Sequence, residues 1–203
     1  MAGSDVIAVI VSDEVALDAD GISVATSVGN NAALVIGGAL ADGGSVTNAS
    51  GRQVTILSAG NDSSKSFNVV GTDVNGASLT ENVTGANAGT ATSSGYFKTI
   101  ASITAVGNPA GNVSAGINAN AADVIFAGRT RLKGFSFVSG GTAGKANIRN
   151  GSVTGTEVVQ FRSIGTDDSS EDPFIPDEGL LFKDGCFVTF VVPQFDLMMF
   201  YHA

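Results

Sequence analysis

Apolar residues recur at every second position along most of this chain, and short turn-forming pairs separate the alternating runs. A period of two puts successive side chains on opposite faces of a strand. Residues 52–58 place Val54 and Ile56 on one face. Residues 66–69 and 79–83 alternate in the same way. Residues 96–106 form a long β-branched and aromatic run. Residues 132–138, 146–149, 158–164, 187–192 and 197–201 complete the strand candidates. Helical periodicity is scarce. Residues 14–19 and 119–123 could each make one helical turn.

The turns agree with that reading. Asn75-Gly76, Asn150-Gly151 and Asp184-Gly185 each lie between two strand candidates. Such pairs tolerate the positive φ angles of a type I′ turn, whose twist matches paired strands. Asp20-Gly21 and Asp42-Gly43 are weaker hairpin signals. The expected fold is all-β, with two antiparallel β-sandwich or barrel-like domains and an N-terminal arm. The expected boundaries are 1–20 for the arm, 21–121 for the first domain and 122–203 for the second. The second boundary follows a change in side-chain size. Residues 116–122 are small and weakly patterned, and ten of the twelve phenylalanines lie from Phe126 onward.

Composition excludes several functions. The 203 residues hold one Cys, one His and no Trp. A disulfide scaffold and a Cys/His zinc site are out of reach. The net charge is −9, which gives no electrostatic basis for binding nucleic acid. No apolar run approaches the roughly 18 residues of a membrane-spanning helix. The apolar stretch at residues 6–11 has no cationic segment before it, so it is not expected to be a secretory signal. Cys186 sits among apolar residues and reads as a small buried hydrophobe.

Chemistry finds little purchase. His202 is penultimate, where an orienting partner and a cleft are hard to supply. Asp18-Ala-Asp20-Gly21 and Asp73-Val-Asn75-Gly76 begin like calcium loops but lack the later ligands, so they read as turns. The acidic run from Asp167 to Asp172 reads as a solvated loop, with a cation held at an oligomer axis as the alternative. No catalytic residue, metal site or cofactor is expected. In a strand, Arg129, Arg131 and Lys133 would share one face, as a solvated stripe or as a docking stripe for an acidic surface.

Two features point toward association. Residues 187–192 and 194–201 are apolar on both faces, so they are either central core strands or covered by another copy. A homo-oligomer is expected to bury part of Phe187, Phe190, Phe195 and Phe200. The arm has Val6, Ala8 and Ile10 on one face and Ile7, Val9 and Val11 on the other. It is expected to add as a strand to a neighbour and act as a tether.

Three stretches carry a family resemblance. They are Arg52-Gln-Val-Thr-Ile-Leu-Ser-Ala-Gly-Asn-Asp-Ser-Ser64, Gly71-Thr-Asp-Val-Asn-Gly-Ala-Ser-Leu-Thr-Glu-Asn-Val-Thr-Gly85 and Tyr96-Phe-Lys-Thr-Ile-Ala-Ser-Ile103. Together they resemble a module of tailed-bacteriophage virion proteins. Gly140-Gly-Thr-Ala-Gly144 and Pro176-Asp-Glu-Gly-Leu-Leu-Phe-Lys-Asp-Gly185 are similar to a second module from the same setting. The resemblance implies a non-enzymatic structural protein on the phage particle surface. A decoration or cement protein of the head comes first, and a tail or fibre-type adhesin is the alternative. It implies partners among the major capsid protein or other virion proteins, and by analogy a homotrimer. It carries over no functional residue.

Overall fold

The computed structural model describes residues 6–13, 16–139, 143–164, 170–171, 174–191 and 195–202. The described residues are strand and loop, with no helix. The strands are β1 (Val6–Asp13), β2 (Asp18–Thr26), β3 (Ala41–Asp42), β4 (Ser45–Ser58), β5 (Ser66–Thr72), β6 (Ser78–Thr84), β7 (Thr90–Thr92) and β8 (Phe97–Val106). They continue with β9 (Val113–Phe126), β10 (Thr130–Ser139), β11 (Ala143–Asn150), β12 (Thr156–Ile164), β13 (Ser170–Glu171), β14 (Leu180–Phe182), β15 (Cys186–Val191) and β16 (Phe195–His202). Every described strand pairing is antiparallel. The sheets are sandwich-like rather than closed barrels.

Two compact units divide the chain, residues 17–119 and residues 1–16 with 120–203. The N-terminal strand therefore belongs to the same unit as the C-terminal half. β9 runs through the division and contributes its first part to one unit and its second to the other.

In the unit of residues 17–119, β4, β8, β5 and β6 lie side by side. The β5–β6 hairpin closes through Asn75-Gly76, with Gly76 at φ 78°. Asp73 Oδ1 accepts hydrogen bonds from the Asn75 and Ala77 amides at 2.8 and 2.9 Å, so this acid shapes the turn. Asp42 opens the β3–β4 hairpin, whose two turn residues are Gly43 and Gly44, both at positive φ. Asp20-Gly21 is no turn, since it lies inside β2. The core is Val, Ile, Leu and Ala, with only Phe67 and Phe97 as aromatic members.

The other unit is a two-layer sandwich. One sheet has the order β1-β16-β10-β13, with β14 also on β10. The facing strands are β12, β11, β15 and the second part of β9. Phe135, Phe137, Leu197 and Met199 from the first sheet meet Ala146, Ile148, Phe161 and Phe190 from the second. Asn150-Gly151 makes the β11–β12 hairpin, with Gly151 at φ 90°. Asp184-Gly185 is not a hairpin turn, because β14 pairs with β10 while β15 pairs with β11 and β9. The expected helical turn at 119–123 is strand too. Its Ala and Asn residues have little strand preference of their own, and pairing with β15 overrides it.

Candidate functional site

The candidate surface lies on the outer side of the β1-β16-β10 sheet. β1 pairs along its whole length with β16 of its own chain, from Val6 opposite His202 to Asp13 opposite Phe195. This in-chain partner satisfies the backbone groups of one β1 edge. No other described strand pairs with the second edge.

The arm alternates as a surface strand does. Val11 is buried in the core and Val9 packs against it. Val6 and Ile10 point the other way and are 46% and 63% exposed. Ile7 is on the core side by parity, yet stays 43% exposed near the strand end. Ala8, between Val6 and Ile10, is exposed as well. Across the register, Ala8 lies opposite Phe200 and Ile10 opposite Met198. Both of those side chains are half-buried. Phe200 lies opposite Gly134, close enough that a Cβ there would stand 3.6 Å from its ring. Val6, Ala8, Ile10, Met198 and Phe200 thus make one apolar strip next to an open strand edge.

The phenylalanines expected at an oligomer interface divide. Phe187 and Phe190 are 3% and 0% exposed, because β15 is a central strand covered on both faces. A second copy has nothing of them left to bury. Phe200 keeps partial exposure on the outer strip. Phe195 is the first residue of β16, and its side chain lies outside the described residues.

One end of the same sheet is cationic. Arg129, Thr130, Arg131, Lys133, Glu178 and His202 line a cleft of about 350 Å³. A register shift between Leu132 and Gly134 explains how this works beside the core. Two residues oppose one at such a bulge, and the side-chain phase flips. Arg131 and Lys133 before it therefore face outward, while Phe135 and Phe137 after it are buried. Arg131 Nη1 donates to the carbonyls of Glu178 and Gly179 at 2.9 and 3.3 Å. Lys133 Nζ donates to the Asp177 carbonyl at 2.7 Å. These acceptors fix the cations without neutralising them. Sequence alternation had signalled this stripe, but not the bulge that aims it.

Other chemistry-bearing residues serve the fold. His202 is exposed, and its carbonyl accepts from Thr130 Oγ1 at 2.6 Å. Burial pushes the Cys186 thiol up to about 12, which suppresses the reactive thiolate. Arg52 is 2% exposed and donates from Nη1 to the Ala119 carbonyl at 3.2 Å. Desolvation lowers its guanidinium to about 10. Sequence reading did not single this residue out, since a buried arginine has no local signature. Among the described residues, no group of three or more His, Cys, Asp or Glu side chains is placed to hold a metal ion. The acidic stretch 167–172 lies outside the described residues except for Ser170 and Glu171, whose backbones form β13.

No protein-family model matches this chain, and no match was found among curated proteins or solved structures.

Proposed function

We propose that this protein is a non-enzymatic structural component of a tailed-bacteriophage particle, a decoration protein that binds the assembled head. The carrying observation is the apolar strip of Val6, Ala8, Ile10, Met198 and Phe200 beside the open edge of β1. An open edge presents unpaired N–H and C=O groups that a neighbouring strand can take up. The strip beside it adds apolar area to the same contact. The resemblance of residues 52–103 and 140–185 to virion modules supports the setting. The neighbour in this reading is the major capsid protein. A protein that binds only the assembled lattice shifts assembly toward it. The tether is then the outer face and free edge of β1, with Val9 and Val11 anchoring that strand in its own unit.

A tail or fibre-type adhesin is the second reading. Phe174 favours it, since this ring is 87% exposed while its neighbour Ile175 packs on the core. A ring held out from an anchored loop suits ligand contact.

A stained gel of intact virions separates the two. Decoration predicts a band of stoichiometry comparable with the major capsid band. A band far below it, with antibodies against the protein blocking adsorption to cells, would replace decoration with the adhesin.

A further inference from the structure

The cationic cleft calls for an anionic partner. Only 10 Lys and Arg residues balance 19 Asp and Glu, yet three cations converge on this one cleft. Glu178 is the single carboxylate among its described lining residues. Arg131 and Lys133 are held by backbone carbonyls, and Arg129 makes no hydrogen bond or ion pair with another described residue. Three like charges lining one cleft repel one another, and an incoming carboxylate relieves this.

The sequence carries a complementary segment, whose described residues Ser170 and Glu171 pair with the far end of β10. Asp167-Asp-Ser-Ser-Glu171-Asp172 has four acids in six residues. Ser170 and Glu171 form β13, which pairs with Val138 and Phe137 of β10. Phe137 is six residues beyond Arg131, so Glu171 is about 20 Å along the strand from the cleft at about 3.3 Å per residue. The paired register holds Glu171 away from its own chain's cleft. A long polyanion is a poor alternative, because the net charge of −9 repels it outside the cleft.

We propose that the Arg129–Arg131–Lys133 cleft binds the acidic segment 167–172 of a second copy of this chain. The contact joins two different surfaces, so it is heterologous and propagates head to tail until a ring closes. It goes beyond the decoration reading and does not depend on it, because the apolar strip and the cleft are different surfaces.

The test is charge reversal followed by sedimentation and light scattering of the purified chain. Wild type is expected to associate, and to do so less as salt rises from roughly 50 to roughly 500 mM, where screening becomes strong. Reversing the cleft (R129E with R131E and K133E) or the segment (D167K, D168K, E171K and D172K) is expected to weaken association about tenfold or more. Both reversals in one chain restore the contact with its polarity exchanged, and association is expected to return. Arg131 and Lys133 also hold residues 177–179, so R129E alone is included as a variant that disturbs no described contact. A monomeric wild type overturns the proposal. So does unchanged association in R129E and in the segment variant. If R129E lowers occupancy on particles but leaves self-association unchanged, the cleft serves an acidic segment of the lattice protein. In that case this inference fails while the decoration reading stands.

Discussion

The two units reach a dry interior by different routes. Residues 17–119 fill theirs with Val, Ile, Leu and Ala, and rely on close backbone approach where side chains are small. A Cβ at Gly71 would run into the Thr99 carbonyl, and one at Gly116 into the backbone of Asp18 and Ala19. The other unit fills its interior with Phe135, Phe137, Phe161, Phe182 and Phe190. Large rings span the space between two sheets and leave backbones apart. Exposed apolar side chains occur in both units, Val24 and Val35 among them in residues 17–119, but their grouping differs. The apolar strip, the cationic cleft and exposed Phe174 all belong to the aromatic unit. The difference teaches that the aromatic half carries the apolar strip and the cationic cleft, while the small-residue half is built to pack closely.

The largest expected effect breaks the aromatic core. Phe135 is 2% exposed and its ring meets that of Phe161. Phe135→Ala is expected to cost about 3–5 kcal/mol, against about 0.5–1.5 for Ile100→Val in the other unit. Denaturant unfolding with segment-resolved hydrogen exchange measures both. Equal losses would dissolve the comparison. Next comes close approach. Gly71→Ala is expected to cost about 1–3 kcal/mol, because backbone must move to admit the methyl. Hydrogen exchange should speed up in β5 and β8, and an unperturbed variant would remove the packing argument.

Alkaline pH sharpens the contrast through two buried groups. The Cys186 thiol is raised from 9.0 to about 12. Between those values the unfolded chain loses a proton that the folded chain keeps, so this group makes stability fall as pH rises. The slope is about 1.4 kcal/mol per pH unit, and Cys186→Ala should remove it. Arg52 has the opposite sign. Its guanidinium is lowered from 12.5 to about 10, so the unfolded chain holds the extra proton and stability rises with pH in that window. Stability curves from pH 8 to pH 11 for wild type, Cys186→Ala and Arg52→Met separate the two. A slope unchanged in Cys186→Ala would contradict the burial argument. The smallest effect belongs to the surface. Ile10→Lys lies on the outer face of β1 and is expected to change stability by about 0.5 kcal/mol or less.

Strands with large alternating residues were legible before the structure. Val54 and Ile56 are both fully buried in β4, as their spacing predicts. Asn75-Gly76 and Asn150-Gly151 also mark hairpin loops where the dipeptides place them, but the loops are longer than type I′ turns and only the Gly of each pair takes positive φ. What escaped was decided by distant partners. β9 is a 14-residue strand whose middle, residues 115–122, is Ala, Gly and Asn around Ile117, and there its neighbours make it a strand. Asp20-Gly21 has turn chemistry but lies in a strand, since Gly21 is buried against Leu40 and Asp18. Of the candidate site, the cationic stripe and the two faces of β1 could be read from alternation. The bulge at Lys133 could not, because odd-numbered cations and odd-numbered phenylalanines give one continuous pattern. Nor could the fate of Phe187 and Phe190. Both-face burial by one's own chain and by a second copy leave the same sequence trace.

The central claim is that the outer face of β1 attaches this protein to a particle. Particles lacking the protein, supplied with wild type or Ile10→Lys at equal concentration, test it most directly. The account predicts full occupancy and heat resistance with wild type. With Ile10→Lys it predicts loss of both, while the variant's unfolding midpoint stays that of wild type. Equal occupancy and equal heat resistance for the two proteins would contradict it.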